Sequence, residues 1–141
     1  MVRTIRFTET ADGATYTGKV SVPAGARLLD LLLETTVAWT AATAPLDVGD
    51  SDASDALIAA MDIAGVTFGD SYGLNFNGTA WGNANNDGGP AYNGGSGKLY
   101  PNGDTITAVI TPTVPGGPTG ISTVTLLLEL GGVARGQVVT T

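Results

Sequence analysis

The sequence predicts an all-β fold, a two-sheet antiparallel β-sandwich, on three observations. Apolar and polar residues alternate with a period of two along several segments, the repeat of a strand with one buried face. Turn-forming Gly, Pro, Asn and Asp residues punctuate those segments. The chain is rich in Thr, Gly and Val, and only 13% of it is charged, against about 25% in an average domain. β-Branched side chains suit a pleated surface.

Residues 3–7 make a short first strand carrying Ile5 and Phe7, and Asp12-Gly13 is a hairpin signal towards the next one. In residues 15–22, Tyr16, Val20 and Val22 share one face, with Thr15, Thr17, Lys19 and Ser21 on the other. A tight Pro23-Ala24-Gly25 turn then feeds a Leu-rich strand over 27–36. Here Leu29, Leu31 and Leu33 form the core face, while Leu28 and Leu32 lie opposite, beside Asp30 and Glu34. A second short strand breaks into the acidic stretch Asp47-Val48-Gly49-Asp50-Ser51-Asp52-Ala53-Ser54-Asp55. Ser54-Asp55 has the character of a helix N-cap, Leu57 and Met61 stand at i,i+4, and Gly65 is a stop, so one short helix is expected over these residues.

Residues 69–103 are dominated by Gly and Asn and predict a long loop punctuated by Tyr72, Phe76, Trp81, Tyr92 and Tyr100. So long a loop in a compact domain is functional or disordered, and its aromatics argue against full disorder. Tyr100-Pro101-Asn102-Gly103-Asp104 is a turn into a strand over 104–111, with Ile106, Ala108 and Ile110 together. The last strand, residues 122–130, puts Val124, Leu126, Leu128 and Leu130 on one face and Leu127 on the other. The extra leucines of the two Leu-rich strands have two explanations. Either both strands are covered on both sides within the domain, or Leu28, Leu32 and Leu127 form a contact between subunits.

At 141 residues the chain is expected to be one domain, 1–141, with 69–103 as an insertion. It contains no Cys and no His. That removes disulfides, thiolate nucleophiles, histidine triads and histidine-bearing metal sites, so no enzyme and no cofactor is expected. Net charge is −7, and no Lys or Arg occurs between Arg27 and Lys98. Such a surface repels phosphate backbones and anionic lipid, so neither nucleic acid nor membrane is expected as a partner. MVRTIRFTET lacks the apolar core of a signal peptide, and no apolar run is long enough to span a bilayer.

The acidic loop is the candidate cation site, with Asp50, Asp52 and Asp55 as its oxygen ligands. The helix-loop-helix calcium pattern fails there, because the fifth and twelfth positions are Ser54 and Met61. A solvated loop whose Asp and Ser side chains bond local amides is the simpler reading. The carboxylates cluster in one loop, with no second catalytic member visible across a groove, which argues against a glycosidase. Tyr72, Phe76, Trp81 and Tyr92 form either an exposed or an intersubunit surface, and Tyr72, Trp81 and Tyr92 are also candidates for stacking on sugars in a carbohydrate-binding or adhesive module. Asn77-Gly78-Thr79 fits the glycosylation sequon, a pattern frequent by chance.

PAGARLLDLLLETTVAW, LDVGDSDASD, LYPNGDTITAVIT and GISTVTLLLEL together resemble the small structural proteins encoded among the head genes of tailed bacteriophages and related particles. The matching positions are Pro23 to Gly25, Trp39, Val48 to Asp50, Asp104 to Thr107 and Thr123 to Leu130. The resemblance spans most of the chain except 69–99. It implies a jelly-roll sandwich of about eight strands that decorates or cements a capsid. The implied partners are the major capsid protein and two further copies of the chain, as a homotrimer. The implied location is the outer capsid surface of the virion, after synthesis in the host cytoplasm. The base or knob of a head fibre is the variant of this reading that the same resemblance allows.

Overall fold

The computed structural model describes residues 1–10, 15–73, 98–113 and 119–130. They form nine strands: β1 (Val2–Thr10), β2 (Tyr16–Val22), β3 (Ala26–Val37), β4 (Pro45–Gly49), β5 (Ile58–Asp62), β6 (Phe68–Gly73), β7 (Lys98–Tyr100), β8 (Asp104–Ile110) and β9 (Thr119–Glu129). One sheet runs β1-β9-β3-β6, with β7 also on β3, and the other runs β2-β8-β4-β5. All the pairings are antiparallel.

Strands β6 and β7 occupy one edge of β3 in succession. Gly73 pairs with Asp30 and Lys98 pairs with Leu28. β6 and β7 therefore share one strand line beside β3, and the two sheets have four strand lines each. The pairing is nested along the chain: β1 with β9, β2 with β8, β3 with β6 and β7, and β4 with β5. Winding this four-tier hairpin adds the β3–β9 and β4–β8 ladders.

The core lies between the sheets. Leu31, Leu33, Val124 and Leu126 of the first sheet are sealed against Ile106, Ala108, Ile110, Leu46 and Val48 of the second. The period-two readings of residues 15–22, 104–111 and 122–130 hold, save that Leu130 lies beyond the end of β9 and is exposed. The Leu-rich strand does not keep one parity. Its register against β9 shifts between Leu28 and Asp30, a bulge that pushes Leu29 outward. Leu28 thereby turns inward and is fully buried, so it is core and not a subunit contact. Leu32 and Leu127 stay on the outer face, each about two-fifths exposed (39% and 40%).

Trp39, Ser122 and Thr35 pair their polar groups inside the sandwich, whereas Arg3 Nε is buried without a hydrogen-bond partner. Trp39, beyond the end of β3, is 1% exposed. Its indole N–H donates to Ser122 Oγ at 2.8 Å, and Thr35 Oγ1 shares a hydrogen bond with the same oxygen at 2.8 Å. Tyr16 tilts against the indole with ring centroids 5.8 Å apart. Gly120 makes room for this stack, since a Cβ there would come within 2.4 Å of the indole.

Three further expectations are corrected. The hairpin expected between the first two strands does not form, because β1 and β2 belong to different sheets; Asp12-Gly13 themselves lie outside the described residues. The expected short helix is absent: residues 53–57 turn and residues 58–62 are β5. The Leu57 amide donates to Val48 O at 2.8 Å and Ile58 pairs with Val48, so the open edge of β4 takes these groups from any helical ladder. A bulge opposite Asp47 holds Ala60 at φ 49°, where its amide donates to Asp47 Oδ1 at 2.7 Å. Part of the loop expected over 69–103 is strand, because residues 69–73 belong to β6 and Lys98–Tyr100 is β7; residues 74–97 lie outside the described residues.

Replacing Gly120 by Ala should wedge the indole from its seat and lower stability by about 2–3 kcal/mol, as overpacking does. Urea unfolding followed by tryptophan fluorescence measures this, and an unchanged midpoint would contradict the packing described.

Candidate interaction surface

One end of the sandwich gathers the acidic loop and two turns. At the Pro23 turn, Ala26 N donates to Pro23 O at 3.1 Å and Gly25 takes φ 81°, a conformation that favours glycine. At the Tyr100 turn, Gly103 takes φ 77° and its amide donates to Tyr100 O at 3.2 Å. The same carbonyl accepts from Gly25 N at 2.8 Å, which locks the two turns together.

The acidic loop closes over them. Asp50 follows β4 and its carboxylate is fully buried. Its Oδ2 accepts from Lys98 Nζ at 2.5 Å and from Tyr100 Oη at 2.8 Å, and its Oδ1 accepts from the Asp52 amide at 2.9 Å. Lys98 Nζ also reaches Asp52 Oδ2 at 2.6 Å and lies 5.2 Å from the Tyr100 ring centroid. A buried carboxylate is costly unless its charge is answered and its lone pairs are bonded. Lys98 supplies the charge, and it joins the two sheets, because it lies on β7 while Asp50 follows β4.

Asp104 completes this end. Its Oδ2 accepts from Ser51 Oγ at 2.7 Å and from the Ser51 amide at 3.3 Å, and its Oδ1 accepts from the Thr105 amide at 2.7 Å. Burial pushes its carboxyl pKa up. The hydrogen bonds from Ser51 and Thr105, with the charge of Lys98, outweigh that and hold it below the ordinary value of 3.8.

Of the residues considered for a cation, Asp50 and Asp52 share the Lys98 ammonium, and Asp55 does not join them. Among the described residues no cluster of three or more acidic side chains is arranged to hold a metal. Lys98 was the residue that local pattern did not single out. Its only signal is that it ends the long stretch without a cation, two positions before a tyrosine.

The outer face of the β1-β9-β3 sheet is of a different kind. Val2 pairs with Leu127, Leu127 with Asp30, and Leu32 with Thr125, while Leu99 pairs with Arg27. With the bulged Leu29, these exposed apolar side chains make a band across neighbouring strands, which lie about 4.8 Å apart. Leu29, Leu99 and Val2 were not among the contact candidates, since their exposure follows from the bulge and from pairing. The outer face of the second sheet is polar, with Thr17, Lys19 and Ser21 on β2 beside Thr105 on β8. Of the aromatic candidates, Tyr72 lies on β6 in register with Leu31, and Phe76, Trp81 and Tyr92 lie outside the described residues.

No protein-family model matches the chain, and no curated protein does. Among solved structures, the chain is similar to a chain described as "Cyanophage Pam1 capsid asymmetric unit", at 20% identity and a TM-score of 0.45, covering 89% of this chain and 81% of that one. That degree of likeness is too low to assign a function.

Two outcomes follow from this end of the molecule. Lys98→Met leaves Asp50 buried without its counter-charge and should cost about 3–5 kcal/mol, whereas Asp52→Asn, at a carboxylate 61% exposed, should cost about 1 kcal/mol or less. Equal losses in chemical unfolding would refute the central place of Asp50. The second concerns acid. A carboxyl held below its unfolded value stabilises above that value, and the contribution disappears as pH falls through the folded value. Thermal melts should therefore lose stability below about pH 4, with a shallower acid limb in Asp104→Asn.

Proposed function

We propose that this chain is a non-enzymatic structural protein of a phage virion. In this reading it binds the outer surface of the capsid as a homotrimer and stabilises the joints between capsid subunits, as a decoration or cement protein does. The observation that carries an associating, structural role is the exposed apolar band on the outer face of the β1-β9-β3 sheet, opposite a polar face on the other sheet. Contiguous exposed apolar surface marks an interaction site.

The capsid assignment draws on the sequence resemblance, and two features of the fold support it. Nested pairing of four strand lines wound into two sheets is the connection expected of a jelly roll. The Pro23-Ala24-Gly25, Val48-Gly49-Asp50 and Asp104 segments that carry the resemblance also meet at one end of the sandwich, joined through Tyr100 and Ser51. Cementing works by added burial: each copy covers apolar surface on neighbouring subunits, and joining three copies multiplies weak contacts through effective concentration.

Purified protein added to capsids assembled without it should co-sediment to a saturating copy number that is a multiple of three. It should also raise the temperature at which the shells rupture. Absence of co-sedimentation at tens of micromolar protein would refute the capsid role.

A further inference from the structure

We infer that the apolar band on the outer face of the β1-β9-β3 sheet is the surface on which a second copy of this chain packs. The inference rests on the self-association, though not on the threefold count, of the reading above: a face that meets its own copy makes an isologous, two-fold contact.

The band has a defined frame. Across its centre run Val2, Leu127, Leu32 and the bulged Leu29, with Leu99 at the margin on β7. On each side lies a row that carries one cation and one anion. Towards one end, Arg6 pairs with Thr123, which in turn pairs with Glu34. Towards the other, Arg27 pairs with Glu129. Asp30 sits within the band beside Leu127.

This arrangement selects its occupant by charge. A uniformly basic partner would meet Arg6 and Arg27, and a uniformly acidic one would meet Glu34, Glu129 and Asp30. A surface with an apolar centre and both signs at each margin is complementary to another copy of itself, because each margin of one copy offers a partner for either charge on the other. The chain as a whole carries −7, so two copies repel over most of their surfaces. Of its six cationic residues, Arg6 and Arg27 stand on this face, where they lower that repulsion. The other outer face offers no comparable band: Thr17, Lys19 and Ser21 are hydrophilic and Thr105 beside them is polar.

The parity of β3 builds the band. Without the bulge at Leu29, the strand would bury Leu29 and expose Leu28. The bulge instead seals Leu28 in the core and delivers Leu29 beside Leu127 and Leu32.

Size exclusion with light scattering on the full chain, from about 1 to 100 µM, tests this. The wild-type protein should be oligomeric. Leu32→Asp and Leu127→Asp should each raise the dissociation constant on the order of tenfold or more, with thermal melting of the dissociated chain still cooperative. Ser21→Asp on the opposite face should leave the oligomer intact. A wild-type monomer at 100 µM would overturn the inference, and so would an oligomer indifferent to both leucine substitutions. Capsid co-sedimentation of the same variants separates the two proposals. A monomeric wild type that still sediments with capsids, and loses this with Leu32→Asp, overturns self-packing and leaves the capsid role standing. An oligomer that dissociates as expected but never sediments with capsids leaves this face assigned and removes the capsid role.

Discussion

Strands β3 and β9 lie side by side at the centre of the larger sheet, and the direction in which their side chains point governs the remainder of the fold. Leu31 and Leu33 of one strand and Val124, Leu126 and Leu128 of the other face inward and are buried. β1 is held by β9 on one side, and β6 and β7 by β3 on the other. Because side chains alternate with a period of two, a slip of one residue would invert both faces. The bulge at Leu29 makes one such inversion within β3 and confines it. It coincides with the break in the neighbouring strand line, where β6 ends at the partner of Asp30 and β7 begins at the partner of Leu28. A strand line that is interrupted loses ladder partners at that point, and a bulge on the facing strand accommodates the break without shifting the core.

The two ends of the sandwich are held by different chemistry. At one end the buried Asp50 carboxylate joins the sheets through Lys98 and Tyr100, and Tyr100 O ties together the turns at Gly25 and Gly103. At the other, Ser122 bonds both Trp39 and Thr35 under a closely packed indole. Both arrangements place polar atoms where water is excluded, and both provide partners for them, as buried polar groups require. In a chain with six cationic residues and thirteen acidic ones, assigning Lys98 to the interior is a commitment of scarce positive charge. It keeps Asp50 from being an unanswered buried anion.

The two outer faces differ in kind. The face of β2 and β8 is rich in hydroxyls, while the opposite face carries leucines in a frame of mixed charge. In the self-packing inferred above, apolar burial would supply the favourable term and the framing charges the orientation, which is the usual division at protein interfaces.

Alternation along the chain and turn residues were enough to specify an all-β sandwich and most of its core positions. These are local or compositional properties, and strand periodicity is written directly into neighbouring residues. Tertiary structure decided what depends on residues far apart. Leu28 and Leu29 exchange faces because of their register with β9, about a hundred residues away in sequence. Residues 54–61 carry helical end signals, yet the free edge of β4 claims the Leu57 amide and pairs Ile58. Lys98 and Asp50 are separated by 48 positions, and no pattern within either segment announces their meeting. Pairing of that kind is set by which edges and charges remain unsatisfied once the sheets close, a condition that no stretch of sequence contains on its own.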